Sequence, residues 1–261
     1  MESPRLLIRS WRAFFLGVGL LTLLTWPDAR AQDEPTPKVT VKGPIKGGKT
    51  LLNPVWSEAA DPKNHRYTVR VPSPTVSQSA KRLTSYLPKE LCIVALSAGK
   101  AAPKSQPIPI YVSGGRTTPA TLVVAEGQNV QFVNADPFPH KLYDVDQKKG
   151  GLGAEETKPA GQRIWKPPAV GVFEIKDEYF PSIRAWIVVE PKAAGVGRPS
   201  TIKPSEYTVP DLDPGPYQLQ GYFMGEKVGK PLTIEVRPAP ALQPQMQPLV
   251  VGVPTKKKKG G

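Results

Sequence analysis

The chain has few side chains that could do chemistry. Its 261 residues include two histidines, His65 and His140, and one cysteine, Cys92. Two histidines and one cysteine cannot build most zinc sites, which use several Cys and His ligands. One cysteine also excludes an intramolecular disulfide, and Cys92 stands in an apolar run that predicts a buried structural thiol.

Enzyme motifs are also missing. No Gly-x-Ser-x-Gly occurs, and residues 43–50 end in Gly-Lys-Thr but miss the phosphate-loop spacing by one residue. The acidic pairs Asp177-Glu178 and Glu155-Glu156 are adjacent, and neighbouring residues of a strand point to opposite faces. We therefore predict a protein that is not an enzyme and takes no cofactor.

One segment carries more information than the rest. In residues 125–140 a strand ends at a glycine turn, and a second strand alternates through Val130, Phe132 and Asn134 before a short loop leads to His140. This segment resembles the first copper-ligand segment of cupredoxins, in which a G-x-x-V-x-F-x-N strand precedes a ligand histidine. The resemblance implies that Nδ1 of His140 would face copper.

The remaining ligands of a cupredoxin are Cys, His and usually Met, on a loop before the last strand. The matching segment here is residues 171–189, and Asp177 stands where the resemblance puts the cysteine. The other two ligand positions fall on Phe180 or Ser182 and on Ile183. Type 1 copper needs a thiolate, so the resemblance, which covers residues 116–191, implies the fold and argues against a metal.

His140 is open to three interpretations. It could hydrogen-bond neighbouring loops as a framework residue, bind a ligand in a vestigial pocket with Asp177 and Tyr143, or hold a metal. An alternative function is a periplasmic copper electron carrier with an atypical ligand set of His65, Cys92, His140 and a methionine.

Aromatic and proline residues flank the same two loops and should cluster if the fold is right. They are Phe138, Pro139, His140, Tyr143, Tyr179, Phe180 and Pro181. Phe180 could fill the space that copper would leave, or the rings could form a contact surface for a partner or glycan. The candidate ligand-binding residues are His140, Tyr143, Asp177, Tyr179 and Phe180.

The elements that position these residues are predicted to be strands. The chain has 32 prolines and 23 glycines, and short runs rich in Val, Ile, Tyr and Phe lie between them. We predict an all-β protein with an antiparallel Greek-key, cupredoxin-like sandwich and further strands before and after it. The predicted strands are Lys38–Lys42, Tyr67–Val71, Leu91–Leu96, Ile108–Val112, Thr121–Val124, Asn129–Val133, Lys141–Val145, Gly171–Ile175, Ala185–Val189, Tyr217–Phe223 and Leu232–Val236. One helix is predicted at Ser77–Leu87.

A second resemblance lies downstream. Residues 212–219 read L-D-P-G-P-Y-Q-L, similar to the turn and strand of transthyretin-like or carboxypeptidase-regulatory-like β-sandwiches. The segment 204–237 is too short to be a full sandwich. It should therefore recruit N-terminal strands such as Lys38–Lys42 or extend the cupredoxin-like sheet.

The first residues predict export. Arg5, Arg9 and Arg12 precede a short apolar stretch, and Ala29-Arg30-Ala31 follows it as a cleavage signature. We predict a periplasmic or secreted protein with no transmembrane segment after cleavage. An uncleaved anchor is the alternative.

The predicted domain organisation divides the chain into five parts. They are a signal peptide (1–31), an N-terminal β-rich region (32–115), a cupredoxin-like domain (116–191), a transthyretin-like segment (204–237) and a disordered Pro/Gln/Lys tail (238–261). Residues 193–203 are predicted to form an irregular Gly/Pro hinge.

The charge predicts the class of partner. The net charge is +13, and loss of residues 1–31 lowers it to +11 because four arginines and two acids leave. Such a chain should be attracted to anionic cell-envelope material, with Lys256–Lys259 as an electrostatic anchor, or should contact another envelope protein. Nucleic acid is the least expected partner of an exported protein. Scattered lysines that serve solubility alone are the alternative.

Overall fold

A computed structural model describes residues 37–48, 51, 90–146, 150–200, 205–238 and 246–252. All regular elements of these residues are strands, which confirms the predicted all-β class. No helix of the described part has the length and apolarity to cross a membrane. Several predictions lie outside the described residues. These are the signal peptide, the strand Tyr67–Val71, the helix Ser77–Leu87, His65 and Lys256–Lys259.

Sixteen strands occur within the described ranges. In chain order they are β1 (Val39–Lys46), β2 (Leu91–Leu96), β3 (Ile108–Ser113), β4 (Arg116–Thr118), β5 (Thr121–Val124), β6 (Val130–Asn134), β7 (His140–Asp144), β8 (Glu155–Thr157), β9 (Gln162–Trp165), β10 (Gly171–Asp177), β11 (Arg184–Val189), β12 (Ala193–Pro199), β13 (Glu206–Leu212), β14 (Gly215–Phe223), β15 (Glu226–Val236) and β16 (Leu249–Val250).

The largest sheet has seven strands in the order β15-β14-β2-β12-β13-β1-β16. It joins the N-terminal strands β1 and β2 to β13, β14 and β15, the strands of residues 204–237. Of the two arrangements open to that segment, the structure shows the one that recruits N-terminal strands. β14 and β15 form a hairpin, because they pair antiparallel around a turn at Met224-Gly225, where both φ angles are positive.

The segment predicted to be a hinge is instead a strand in the middle of this sheet. β12 pairs with β2 on one side and β13 on the other. Gly195 and Gly197 face the core, and a Cβ on Gly195 would lie 2.3 Å from a methyl carbon of Leu212. The glycines therefore permit close packing of strands. Sequence composition alone does not separate that role from flexibility.

The predicted disordered tail also contains ordered structure. β16 pairs parallel with β1, and the Val251 amide donates to the Lys46 carbonyl at 2.9 Å. Leu249 and Val251 are fully buried in the core of the large sheet. Burial of these apolar side chains stabilises the folded state. The prediction of disorder rested on the Pro/Gln-rich composition of residues 238–261 and overlooked this short apolar run.

Glycines leave room for this C-terminal strand. A Cβ on Gly229 of β15 would lie 1.8 Å from the Val250 carbonyl oxygen, and one on Gly47 would lie 2.0 Å from the Val251 oxygen. Both glycines have positive φ angles, 71° and 81°. β16 is therefore the edge strand beside β1, and it also approaches β15, the strand at the other edge of the sheet.

The other two sheets face each other as a smaller sandwich. One has the strand order β5-β11-β10-β7-β8 and the other β4-β3-β6-β9. β3 pairs in parallel with β6, so strand pairing extends the sandwich to Ile108 and crosses the predicted boundary at residue 116. The buried apolar residues between the two sheets are Ile110, Val112, Leu122, Val124, Val130, Phe132, Leu142, Leu152, Trp165, Ile175, Ile183, Ala185, Ile187 and Val189.

A third apolar cluster joins the sandwich to the large sheet. It contains Cys92, Val94, Val123, Val188, Ala193 and Tyr222, all buried. Burial raises the pKa of the Cys92 thiol to about 11, which keeps it protonated and inert, as expected for a structural thiol. The Met224 amide also donates to the Thr121 hydroxyl across this boundary at 2.9 Å.

Tyr207 carries a buried hydroxyl with no hydrogen-bond partner among the described residues. Burial raises its pKa from 10.0 to about 12. Above pH 10 the unfolded chain releases this proton while the folded chain keeps it. The free energy of unfolding should therefore fall by up to about 2–3 kcal/mol as the pH rises toward 12.

Tyr207→Phe removes the unpaired hydroxyl and its titration together. We expect unchanged stability, or a gain of up to about 1 kcal/mol, at pH 7. The variant should also lose less stability than the wild type in alkali. Urea unfolding at pH 7 and pH 11 measures both effects. A loss above about 1 kcal/mol at pH 7 would show that the hydroxyl is satisfied.

Candidate functional site

His140 lies at the centre of a buried polar cluster at one end of the small sandwich. Its side chain is fully buried. Nδ1 lies 2.8 Å from Oδ2 of Asp177, and Nε2 lies 3.1 Å from Oδ2 of Asp136. Both ring nitrogens therefore have a carboxylate partner supplied by the chain itself.

The strands bring these groups together. His140 begins β7 and Asp177 ends β10, and the two strands pair antiparallel with Asp177 opposite Leu142. Asp136 lies in the loop between β6 and β7, four residues before His140. Two neighbouring strand ends and one short loop thus place three groups that are up to 41 residues apart in the sequence.

Asp177 also organises the loop that follows it. Its Oδ1 accepts hydrogen bonds from the backbone amides of Tyr179 at 2.7 Å and Phe180 at 3.0 Å. One carboxylate oxygen therefore fixes the loop backbone, while the other holds the imidazole.

Asp136 has an equivalent role on the opposite side of the ring. Its oxygens accept from the Gly114 amide at 2.9 and 3.1 Å, and its own amide donates to Oδ1 of Asn134 at 2.9 Å. The Asn134 amide group then donates to the carbonyl oxygens of Phe138 and Thr157. This network ties the β3–β4 turn, the β6–β7 loop and β8 to His140.

The hydrogen bonds impose a proton count on the three side chains. A ring nitrogen can bond to a carboxylate oxygen only if a proton lies between them, so the two bonds need two protons. The imidazole and the two carboxyl groups can each supply such a proton. The two hydrogen bonds therefore couple the three side chains, because neither bond forms without a proton from one of its two partners.

Aromatic rings cover the imidazole. The ring centroids of Phe138 and Phe180 lie 5.3 Å from that of His140 and 4.9 Å from each other. Phe180 is half-buried, whereas Phe138 is 37% and Tyr179 45% exposed. These ring contacts confirm the prediction that the two loops meet. Phe180 covers the imidazole of His140 and is itself partly exposed.

The side chains of Tyr143 and Tyr179 do not join the buried cluster around His140, although both were predicted to bind a ligand together with it. His140, Leu142 and Asp144 are the buried residues of β7, so alternation places Tyr143 on the other face of that strand. Tyr179 points to the surface, where its hydroxyl donates to Glu156 at 3.1 Å, a contact that raises the pKa of the tyrosine.

The sequence prediction missed Asp136. The signal was present, because an aspartate four residues before a histidine in a short loop can reach the second ring nitrogen. The resemblance to cupredoxins implies a role for Nδ1 of His140 only, so no partner was predicted for Nε2.

The cluster does not fit type 1 copper. Nδ1, the nitrogen that the resemblance assigns to the metal, is held by Asp177, and Asp136 holds the other nitrogen. Among the described residues, no group of three or more potential ligands could hold a metal ion. Cys92 belongs to a different cluster, the apolar side chains that join the sandwich to the large sheet.

Comparison with known proteins gives structural matches only. No family model matches the chain, and no curated protein does. Solved structures that match include the reduced state of an amicyanin mutant, with 20% identity, 38% of this chain, 98% of that chain and a TM-score of 0.30. Amicyanin from Paracoccus versutus matches at 17% identity over 38% of this chain and 97% of its own, with a TM-score of 0.30. A purple cupredoxin from Nitrosopumilus maritimus matches at 16% identity over 32% of this chain and 99% of its own, with a TM-score of 0.28.

Removal of the Phe180 ring tests its role as a cover. Because the ring is half-buried and contacts both Phe138 and His140, we expect Phe180→Ala to cost about 2 kcal/mol, less than a fully buried Phe would. Tyr179→Ala, which removes an exposed ring from the same loop, should leave stability unchanged. Thermal melts of both variants check this, and equal melting temperatures would contradict a covering role for Phe180.

Proposed function

We propose that the chain is a non-catalytic, exported, cupredoxin-like binding or structural module of the cell envelope, without a type 1 copper site. The observation that carries the proposal is the occupation of both His140 ring nitrogens by Asp177 and Asp136. An internal carboxylate replaces the metal as the group that joins the two loops. The loops are thus held together with no exchangeable cofactor.

The arrangement of strands supports the cupredoxin-like assignment. Two facing sheets of five and four strands enclose one apolar core, and His140 and Asp177 meet at adjacent strand ends. The arrangement of strands agrees with a cupredoxin-like framework. The residues at its centre differ, because carboxylates contact His140 where a cupredoxin has a metal. Exposed parts of Phe138 and Tyr179 offer a contact surface beside the buried cluster.

Copper loading tests the absence of a metal site. A ligand that binds only the folded state raises its stability by mass action, so a copper protein should melt at a higher temperature once loaded. We expect neither a rise in melting temperature nor an intense blue absorption band when the purified mature chain receives one equivalent of Cu(II). A chelator-washed sample serves as the control for loosely bound ions, and a blue band that survives the wash would overturn the proposal.

Export needs a separate test. Residues 1–31 can be fused to a reporter that is active only outside the cytoplasm, such as a phosphatase that requires disulfides. We expect activity with the natural sequence and a loss when the apolar stretch is interrupted by charged residues. An inactive natural fusion would contradict the envelope location and leave the copper prediction untouched.

A further inference from the structure

Arg198 is a half-buried cation without a carboxylate partner. It lies in β12, the central strand of the large sheet, and burial lowers the pKa of its guanidinium. Its side chain makes no ion pair or hydrogen bond within the described residues. A charge that leaves water loses hydration, so a buried arginine usually has an anionic partner. The guanidinium of Arg198 is therefore available to an anion from outside the chain.

Strand pairing places two further donors beside Arg198. Thr208 of β13 is the register partner of Arg198 on one side and of Lys42 in β1 on the other. Register partners in antiparallel strands point to the same face, so the three side chains form one row across three adjacent strands. At about 4.8 Å between strands, the Cα atoms of Lys42 and Arg198 lie roughly 10 Å apart, with Thr208 between them.

This row lies on the face of the large sheet that is opposite its apolar core. Val41 and Val209, the sequence neighbours of Lys42 and Thr208, are fully buried in that core. Alternation along the strands puts the row on the other face. Lys42 is exposed there, and Thr208 and Arg198 are half-buried. A ligand can therefore reach all three side chains from solvent.

The carboxylates near this row are engaged with other groups. Glu206 lies one row further along the same face, is half-buried and already has an interaction of its own. Asp211, three residues after Thr208, pairs at 3.9 Å with a lysine of the loop between β2 and β3. Within the described ranges neither carboxylate pairs with Lys42 or Arg198. The row thus offers two positive charges and one hydroxyl without a bound anion.

We propose that Arg198, Thr208 and Lys42 bind a phosphate group, either as the free anion or as part of a phosphate ester. A guanidinium presents a fork of N–H donors that matches two phosphate oxygens, and the hydroxyl and the ammonium supply donors for the others. Two cations balance the charge of a phosphate group near neutral pH, whereas one carboxylate would leave a cation unbalanced. This inference goes beyond the proposed function and depends neither on the His140 cluster nor on export.

Thermal melts in phosphate test the site. The mature chain is melted in sodium phosphate and in sodium chloride at the same pH and ionic strength. A ligand that binds only the folded state stabilises it by mass action, so we expect the melting temperature to rise by about 2–4 °C at a phosphate concentration tenfold above Kd. Equal melting temperatures in the two salts would overturn the proposal. A parallel melt in glycerol 3-phosphate distinguishes the two forms, because a larger rise than in phosphate identifies an ester as the better ligand.

Nuclear magnetic resonance locates the bound anion. In a ¹⁵N-labelled mature chain, we expect phosphate to shift the backbone amide signals of Lys42, Arg198 and Thr208 and the side-chain Nε signal of Arg198. The concentration at which these shifts saturate gives the Kd that the melts require. Shifts confined to other parts of the chain would refute this site.

Two variants test the donors, and a third serves as the control. Arg198→Met removes the guanidinium and keeps an unbranched side chain, and we expect it to abolish the rise in melting temperature that phosphate causes. Lys42→Gln should weaken phosphate binding about tenfold, through loss of one charge-assisted hydrogen bond. Lys46→Gln removes an exposed lysine from the same strand, more than a Debye length away, and should change the affinity by less than about twofold.

The pair of lysine variants decides the outcome even if Arg198→Met fails to fold. Equal losses of affinity in Lys42→Gln and Lys46→Gln would show attraction by net charge alone and would overturn the site. A tenfold loss in Lys42→Gln with an unchanged Lys46→Gln would support it. The export reporter and the copper experiment do not involve these residues, so failure of the phosphate site leaves the proposed function untouched.

Discussion

Asp177→Ala should destabilise the protein by roughly 3–5 kcal/mol, the cost of removing one partner from a buried charge pair. Oδ2 of Asp177 holds Nδ1 of His140, and Oδ1 accepts from two backbone amides of the following loop. The alanine leaves all three donors without this acceptor. Urea unfolding at pH 7 measures the loss.

Two variants show whether the loss belongs to the buried cluster. Glu178→Ala removes the next carboxylate along the chain, which is half-exposed and paired with Lys141 at the surface, and should change stability little. Asp177→Asn keeps an oxygen for the backbone amides and should fall between the wild type and the alanine variant. A stability of Asp177→Ala within 1 kcal/mol of the wild type would show that the cluster does not hold the two loops together.

Leu249→Ala should cost about 2–5 kcal/mol, because it empties a fully buried position in the core of the large sheet. Leu249 comes from the C-terminal segment that the sequence predicted to be disordered. Its burial depends on the packing of β16 beside β1. Thermal and urea unfolding both report the loss.

The adjacent residue provides a matched control. Val250 belongs to the same two-residue strand but is 51% exposed. Val250→Ala should therefore change stability by less than about 0.5 kcal/mol. If Leu249→Ala were equally silent, the C-terminal segment would contribute nothing to the core of the large sheet.

Strands with strong local patterns could be predicted from the sequence. Leu91–Leu96 and Thr121–Val124 have the predicted bounds, since each is a run of apolar and β-branched residues between turns. β8 and β9 were missed, because Glu155–Thr157 is polar and Gln162–Trp165 is short and mixed. These two strands are defined by their neighbours in the sheets rather than by their own composition.

The pairing of distant segments was harder to predict. β13 contacts β1 across more than 160 residues of sequence, and no local pattern specifies that partner. The glycines of β12 illustrate a related difficulty. Gly195 and Gly197 were predicted to form a hinge. They instead let β12 pack closely against β13, where Gly195 faces Leu212. Glycine allows both flexibility and tight packing, and only the three-dimensional neighbours separate the two.

The site was partly predictable. Asp177 was grouped with His140 because the resemblance puts it at the cysteine position, and the two side chains lie 2.8 Å apart in the structure. Asp136 and Gly114 were missed, and Tyr143, which was grouped with the same pocket, lies on the other face of β7. A ligand position can be matched from sequence, whereas the groups that contact His140 depend on the loop geometry.

We propose that Asp177 and Asp136 hold His140 through both ring nitrogens and thereby exclude copper. Nuclear magnetic resonance of the imidazole ring, with ¹⁵N-labelled histidine in the mature chain, tests this most directly. We expect both ring nitrogens of the buried histidine to be hydrogen-bonded to carboxyl groups and their signals to stay unchanged on addition of one equivalent of Cu(II). A ring nitrogen without a hydrogen bond, or loss of the His140 signals when Cu(II) is added, would contradict this arrangement.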